Sequence, residues 1–233
     1  MHLPSLFQFL EGLAENNNRP WFLHNKPQYD ILREEFINLT ADIGVRVRKF
    51  DKDLPPFEPK KAVFRIYRDV RFAKDKSPYK TNIGAVIGQR NKDDKSRPIH
   101  YFHIDHTGHL LVASGIYMPP PPVLKRIRDH IVSHPKSLQA VLRNKDFAAV
   151  YGGLCEEGKL ARSPKGYAPD HPLIEAIKNK NFFCETSVNL KKKPPKDLAG
   201  WVAQHFEASQ PLVKWLQIAA RDPDAVVTST KAR

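Results

Sequence analysis

The sequence predicts an α+β fold, in which an antiparallel sheet of about four or five strands is flanked by N-terminal and C-terminal helices. Apolar residues recur at helical spacing before residue 50 and again after residue 120. Between them, short segments alternate apolar and polar residues as strands do. Helices on either side of a group of strands are typical of this class. With 41% hydrophobic residues, the chain can bury a core.

Two helices are predicted at the N-terminal end. The first carries Leu6, Phe9, Leu10 and Leu13, and the run from Asn16 to Pro20 is expected to end it, because Pro cannot continue a helix. The second is predicted from near Pro27 to Ile43. A Pro-rich loop, residues 51–60, follows it.

The apolar period then changes to two. Residues 62–72 are predicted to form a strand, followed by strands over 82–89, 99–105 and 109–117, and a later one over 182–190. Because the connections within 62–117 are short, we expect an antiparallel meander.

Helical spacing returns after the proline run 119–122. Helices are predicted over 124–131, after Pro135, over 171–179 with Asp170 as the cap, and over 197–220, where Pro211 should divide the helix. Residues 1–220 are predicted to form a single domain, and the tail 221–233 is expected to be frayed.

Several classes of protein are excluded by composition. No apolar run approaches the roughly 20 residues that span a bilayer, and the first residues lack the pattern of a signal peptide, so no membrane partner is expected. The two cysteines, Cys155 and Cys184, are too few for a disulfide scaffold and lack metal-type spacing. We therefore expect a cytoplasmic protein without a cofactor.

Basic residues are concentrated in one part of the chain. The formal net charge is +13, from 38 Lys and Arg against 25 Asp and Glu. The basic segment, residues 60–80, holds eight basic residues against Asp69 and Asp75 and carries +6, whereas residues 1–59 carry −2. A local excess of this kind indicates an anionic partner.

Arg68 is the most unusual residue of the basic segment. On the predicted strand it shares a face with apolar residues, Phe64 and Ile66 among them. Since a guanidinium keeps its charge and is costly to bury unpaired, Arg68 needs a carboxylate, carbonyl oxygens or an anionic ligand. A structural ion pair and a β-bulge that turns Arg68 outward are the alternatives to a ligand-binding role.

Other residues of the basic segment complete the predicted site. Arg65, Tyr67, Asp69 and Arg71 fall on the opposite strand face, where Asp69 would orient the two arginines. The polar turn 74–80 adds ammonium groups, a hydroxyl and a phenol, which hold phosphate or carboxylate groups. The predicted ligand-binding residues from this segment are Arg65, Tyr67, Arg68, Arg71, Lys76, Tyr79 and Lys80.

Two further candidates lie outside the basic segment. His100, His103, His106 and His109 recur every third residue across a strand, a turn and a strand, so they cannot all converge, and no metal site is predicted. His103 is the predicted proton-transfer residue if a reaction occurs, and Asp69, which would orient the arginines, is the other residue of the predicted catalytic set. Lys165, before the helix predicted at Asp170, is a further anion-binding candidate.

The long motif of the basic segment is similar to that of a known family. The run Phe64-Arg65-Ile66-Tyr67-Arg68-Asp69-Val70-Arg71-Phe72 and its continuation to Thr81 resemble the signature of the family called domain of unknown function 2461. Residues 16–22, 115–119, 165–167 and 171–172 fit as well, so the resemblance covers roughly residues 3–215. It implies no activity, because the family has no established one.

Three hypotheses of function follow. The first is a site for an anionic small molecule that bears phosphate or carboxylate, with no reaction specified. The second is a nucleic-acid-binding module of no sequence preference, supported by the Lys and Arg surplus but by no known motif. The third is an interaction protein whose charged motif is only a structural ion-pair network.

Overall fold

The computed structural model describes residues 1–88 and 96–221, and it has the predicted α+β class. Strands β1 (Asn82–Ile87), β2 (Ile99–Asp105), β3 (His109–Ile116) and β4 (Phe182–Asn189) form one antiparallel sheet in the order β1-β2-β3-β4. Each of these four strands was predicted to within two residues. The register of the first pair places Ala85 opposite Phe102 and Asn82 opposite Asp105.

Helices α1 (Leu3–Glu15) and α2 (Arg19–Phe50) precede the sheet. The Asn-rich run ends α1 as predicted, but it also starts α2. The Asn18 side chain accepts a 3.0 Å hydrogen bond from the Trp21 N–H, and Pro20 fits the first turn. The predicted start near Pro27 is wrong, since Pro27 lies inside α2. Packing of the apolar face of α2 offsets the lost hydrogen bond.

The predicted strand 62–72 is also wrong. Helix α3 (Pro59–Ala62) takes its first residue, and residues 63–81 are irregular apart from two isolated bridges. The segment folds back on itself, so that the Arg68 N–H donates to Pro78 O (2.9 Å) and the Lys80 N–H donates to Ile66 O (2.8 Å). Because Pro78 lacks an N–H, it cannot donate a hydrogen bond back to Arg68, and a continuous ladder of backbone hydrogen bonds does not form.

Six further helices follow β3 within the described chain. Their bounds are α4 (Pro121–Ser133), α5 (Pro135–Arg143), α6 (Lys145–Tyr151), α7 (Ile174–Ile177), α8 (Leu198–Ala208) and α9 (Gln210–Ala219). Pro211 divides the last helical stretch, as predicted. The helix predicted over 171–179 is only the single turn α7. Leu173, not Asp170, occupies its N-cap position and makes no side-chain capping hydrogen bond.

The described chain divides into two compact units, each with its own apolar core. The first contains residues 1–88, 100–112 and 186–207, and its core includes Phe36 and Phe102, whose rings stack with centroids 5.1 Å apart. The second contains residues 96–99, 113–185 and 208–221, with Ile127 and Phe147 in its core. The single domain over 1–220 stays a prediction. The tail beyond Arg221 lies outside the described residues.

No helix among residues 1–88 and 96–221 combines the length and the apolar character needed to cross a membrane. The longest, α2, alternates buried positions with exposed charged ones along its whole length.

The stacked aromatic pair gives a test of the first core. Replacing Phe36, which has no exposed surface, with Ala should lower the free energy of unfolding by about 3–5 kcal/mol in a urea titration. Ile31→Ala, on the same helix but 63% exposed, is the control and should change it by less than about 0.5 kcal/mol. Equal losses in the two variants would contradict the assigned core.

Candidate functional site

Burial follows the predicted alternation over residues 64–70 although no strand forms, but not at the ends of the predicted strand, where Val63 is buried and Phe72 is exposed. Ile66 is buried, Arg65 and Tyr67 are exposed on either side of it, and Arg68 is again partly buried. An extended backbone places successive side chains on opposite sides whether or not it is paired in a sheet. Arg68 is therefore partly buried, although the strand from which its position was predicted is absent.

Arg68 forms an ion pair within the basic segment. Its Nη1 donates to Asp75 Oδ2 and to the backbone oxygen of Ser77 (3.1 Å). The Arg68 side chain is 27% exposed, whereas that of Asp75 is 62% exposed, so the partner is not a buried carboxylate. Two of the five guanidinium N–H groups are used in this way. The three on Nε and Nη2 have no hydrogen-bond partner within residues 1–88 and 96–221.

The Asp75 carboxylate is held on both oxygens. Oδ1 accepts hydrogen bonds from the Ser77 hydroxyl (2.6 Å) and the Ser77 N–H (2.9 Å), while Oδ2 pairs with Arg68. The Ser77 hydrogen bonds, followed by those from Arg68, lower the pKa of Asp75 from 3.8 to about 2. Asp75 is therefore ionised at neutral pH and holds one edge of the Arg68 guanidinium in place.

The side chain of Asn17, in the turn between α1 and α2, forms hydrogen bonds with both the N–H and the carbonyl oxygen of Tyr79. The Asn17 side chain donates to Tyr79 O (3.0 Å) and accepts from the Tyr79 N–H (3.0 Å). The Tyr79 ring is buried and stacks on Phe22 with centroids 4.2 Å apart. Burial raises the pKa of Tyr79, so its phenol stays protonated.

These groups line a polar cleft with a volume of about 420 Å³, here called the Arg68 cleft. Its lining includes two basic residues, Arg68 and Lys80, and one acidic residue, Asp75, so these three side chains carry a net charge of +1. Lys80 Nζ also donates to Arg65 O (2.9 Å) and lies 5.2 Å from the centre of the Phe64 ring. The complete lining is Ala14, Asn17, Arg68, Asp75, Ser77, Tyr79, Lys80, Thr81, Asn82 and His106.

The cleft contains three of the predicted ligand-binding residues: Arg68, Tyr79 and Lys80. The others from the basic segment do not line it. Arg71 is paired with Asp69, Lys76 Nζ donates to Val70 O (3.0 Å), and the half-exposed Tyr67 lies edge-on to Phe22. Arg65 is exposed, and its backbone oxygen rather than its guanidinium contacts Lys80.

The predicted catalytic pair is not brought together in the cleft. His103 lies on β2 opposite Gly84, and burial lowers its pKa, with the nearby Asp105 acting in the opposite direction. Asp69 is exposed and receives two hydrogen bonds from the Arg71 guanidinium, at 2.9 and 2.7 Å. These hydrogen bonds lower the pKa of Asp69 to about 2. Asp69 was predicted to orient both Arg65 and Arg71, and the hydrogen bonds of its side chain hold Arg71.

His106 is the histidine that lines the Arg68 cleft, and it was not singled out from the sequence. The register of Asn82 opposite Asp105 brings the following turn beside Thr81, and the His106 N–H donates to Thr81 O (2.9 Å). Its Nδ1 is buried and has no hydrogen-bond partner among the described residues. Only a knowledge of the β1–β2 register would have indicated this residue.

Lys165 is an exposed residue of the second unit, in the loop before α7. Its predicted role depended on a helix N-terminus that the single turn Ile174–Ile177 does not provide. The same loop lines a separate cleft of about 320 Å³, where the Tyr167 hydroxyl donates to Asp129 (2.8 Å). Within the two described ranges, no group of three or more metal-ligating side chains occurs.

A comparison with protein families matches residues 5–215 to the model described as a conserved hypothetical protein, domain of unknown function 2461. The chain belongs to this family. No curated protein and no solved structure matches the chain. The resemblance found in the sequence is thus confirmed, and the function has to be argued from the residues themselves.

The hydrogen bonds at Asp75 give a test of the geometry of the cleft. Ser77→Ala removes the hydroxyl that contributes most to the low pKa, so the pKa of Asp75 should rise from about 2 towards 3.8 in an NMR titration of the side-chain carboxyl carbon. Because the carboxyl pKa is lowered in the folded protein, the stability that it contributes is present above its ordinary pKa and is lost as the pH falls towards 2. This acid-induced loss should therefore be smaller in the variant. The same midpoint in both proteins would contradict the hydrogen-bond assignment.

Proposed function

We propose that the Arg68 cleft binds a small molecule bearing a phosphate or carboxylate group. One observation carries the proposal: Arg68 lines the cleft while its Nε and Nη2 donors have no partner among the described residues. A planar guanidinium with adjacent N–H groups matches the two oxygens of a carboxylate or phosphate. An anion bound there would complete the hydrogen bonding of Arg68.

Asp75 affects both the charge and the orientation of Arg68. Its carboxylate neutralises part of the Arg68 charge, so a ligand has to be attracted by the remaining positive charge of Arg68 and Lys80 together. Since Asp75 binds only the Nη1 side of the guanidinium, it fixes the orientation of Arg68 without occupying the other edge. The role of Asp75 is therefore to orient Arg68.

The remaining lining supports a small polar ligand. Asn17, Ser77, Thr81 and His106 are further polar residues of the lining. The volume of about 420 Å³ lies in the range of small-molecule sites, which is roughly 300–1,000 Å³. The proposal concerns binding and specifies no reaction. A cytoplasmic location is proposed with it, because Cys155 and Cys184 are both free thiols, as a reducing compartment keeps them.

Calorimetric titration with inorganic phosphate tests the proposal. Arg68→Gln should weaken phosphate binding by at least about tenfold, because a hydrogen bond to a charged group contributes about 1.5–3 kcal/mol. Arg71→Gln is a matched control: it removes the same charge from the same segment, but Arg71 is outside the cleft lining. Its binding should stay close to that of the unchanged protein.

Two results would contradict the proposal. Equal losses in the two variants would mean that phosphate responds only to the overall charge of the segment. If the unchanged protein does not bind phosphate or small carboxylates at low ionic strength, Arg68 and Asp75 are a structural ion pair. Circular dichroism of both variants separates loss of binding from loss of folding.

A further inference from the structure

A loop within the basic segment, residues 69–76, exposes a phenylalanine to solvent. Phe72 is 95% exposed, the highest exposure of any large hydrophobic side chain among the described residues. Because a side chain this exposed buries almost no apolar surface, it contributes almost nothing to the hydrophobic stabilisation of the core. This loop, here called the tip loop, therefore exposes Phe72 without any benefit from packing.

Polar contacts within the tip loop and next to it hold its shape. The Asp69 carboxylate accepts hydrogen bonds from the Arg71 N–H (3.3 Å) and from the Arg71 guanidinium. Lys76 Nζ donates to Val70 O (3.0 Å), and Asp75 is held by the hydrogen bonds from Ser77. Because these contacts fix the backbone on both sides of Phe72, its ring is displayed on an ordered loop, which lowers the entropy cost of binding a partner.

The charge around Phe72 suits a polyanion. Arg71 and Lys74 are the exposed cations nearest to it in the chain, and the Arg71 guanidinium lies 6.0 Å from the centre of the Phe72 ring. Both acidic residues of the tip loop are paired with arginines, Asp69 with Arg71 and Asp75 with Arg68, so Lys74 and Lys76 supply its net positive charge. The charge left for a partner is therefore positive.

We propose that the tip loop binds single-stranded nucleic acid, with the Phe72 ring stacked on a base and Lys74 near the phosphates. An exposed aromatic ring among cations is the combination by which proteins bind single strands without sequence preference. A single ring can stack fully on one base, whereas one Phe between two cations gives only a small apolar area for insertion into a bilayer. The tip-loop surface is independent of the proposed ligand in the Arg68 cleft.

Fluorescence anisotropy with a labelled oligo(dT) of about 15 nucleotides tests the proposal, at salt concentrations from about 50 to about 200 mM. Phe72→Ala should weaken binding about tenfold, and Phe72→Trp should retain it, because Trp also stacks on bases. Lys74→Gln should reduce the slope of log affinity against log salt by about 0.7. Since Phe72 is exposed, these variants should fold normally.

Two matched controls lie outside the tip loop. Leu23→Ala removes an apolar side chain that is 55% exposed on α2, and Lys136→Gln removes an exposed charge in the second unit. Neither should change the affinity for oligo(dT) as the tip-loop variants do. Arg68→Gln tests the cleft separately through phosphate binding, so failure of one proposal can be distinguished from failure of the other.

The proposal is overturned if the unchanged protein does not bind oligo(dT) at about 50 mM salt, where phosphate contacts are strong. It is also overturned if Phe72→Ala binds as tightly as the unchanged protein, or if both controls weaken binding equally. Vesicles with and without phosphatidylserine provide the other comparison. Vesicle binding that requires Phe72, without oligonucleotide binding, would assign the tip loop to an anionic bilayer instead.

Discussion

The ion pair between Arg68 and Asp75 determines the conformation on which the rest of the site depends. It joins Arg68, the residue before the tip loop, to Asp75 within the loop, and it sets the orientation of a guanidinium that is only partly exposed. Because Asp75 occupies the Nη1 side alone, the remaining donors of Arg68 are kept in a defined position. This contact therefore links the polar cleft to the tip loop.

The cleft is assembled from three distant parts of the sequence. Asn17 ties the turn between α1 and α2 to the backbone of Tyr79, and the β1–β2 register places His106 beside Thr81. A second arginine shows what a purely structural role looks like. Arg128 is buried, and its guanidinium donates to the backbone oxygens of Ile177 (2.8 Å) and Asn179 (3.0 Å). Arg68 is more exposed, lines a cleft and retains donors, which is why it is the candidate for binding.

The sequence was sufficient where the information is local. Strand alternation and proline positions predicted the four strands and the division of the last helical stretch at Pro211, and alternation also placed Arg68 on the less exposed face. Residues 62–72 were assigned to a strand because an extended segment that pairs with its neighbours only at isolated bridges has the same side-chain period as a sheet strand. Asn17 and His106 were missed because their roles depend on contacts made across long stretches of sequence. Arg128 was missed because nothing in its local spacing shows that carbonyl oxygens surround it.

The most direct test of the account is a titration of the isotope-labelled protein with inorganic phosphate, followed by backbone amide NMR. Binding in the Arg68 cleft predicts saturable shifts at Ser77, Thr81 and His106, with the amides of Arg71 and Phe72 changing little. Ser77 and Thr81 lie in the same basic stretch of chain as Arg71 and Phe72 or next to it, so the comparison separates a defined site from general attraction to a positive surface. Shifts that do not saturate, or that are largest in the tip loop, would contradict a binding site built on Arg68.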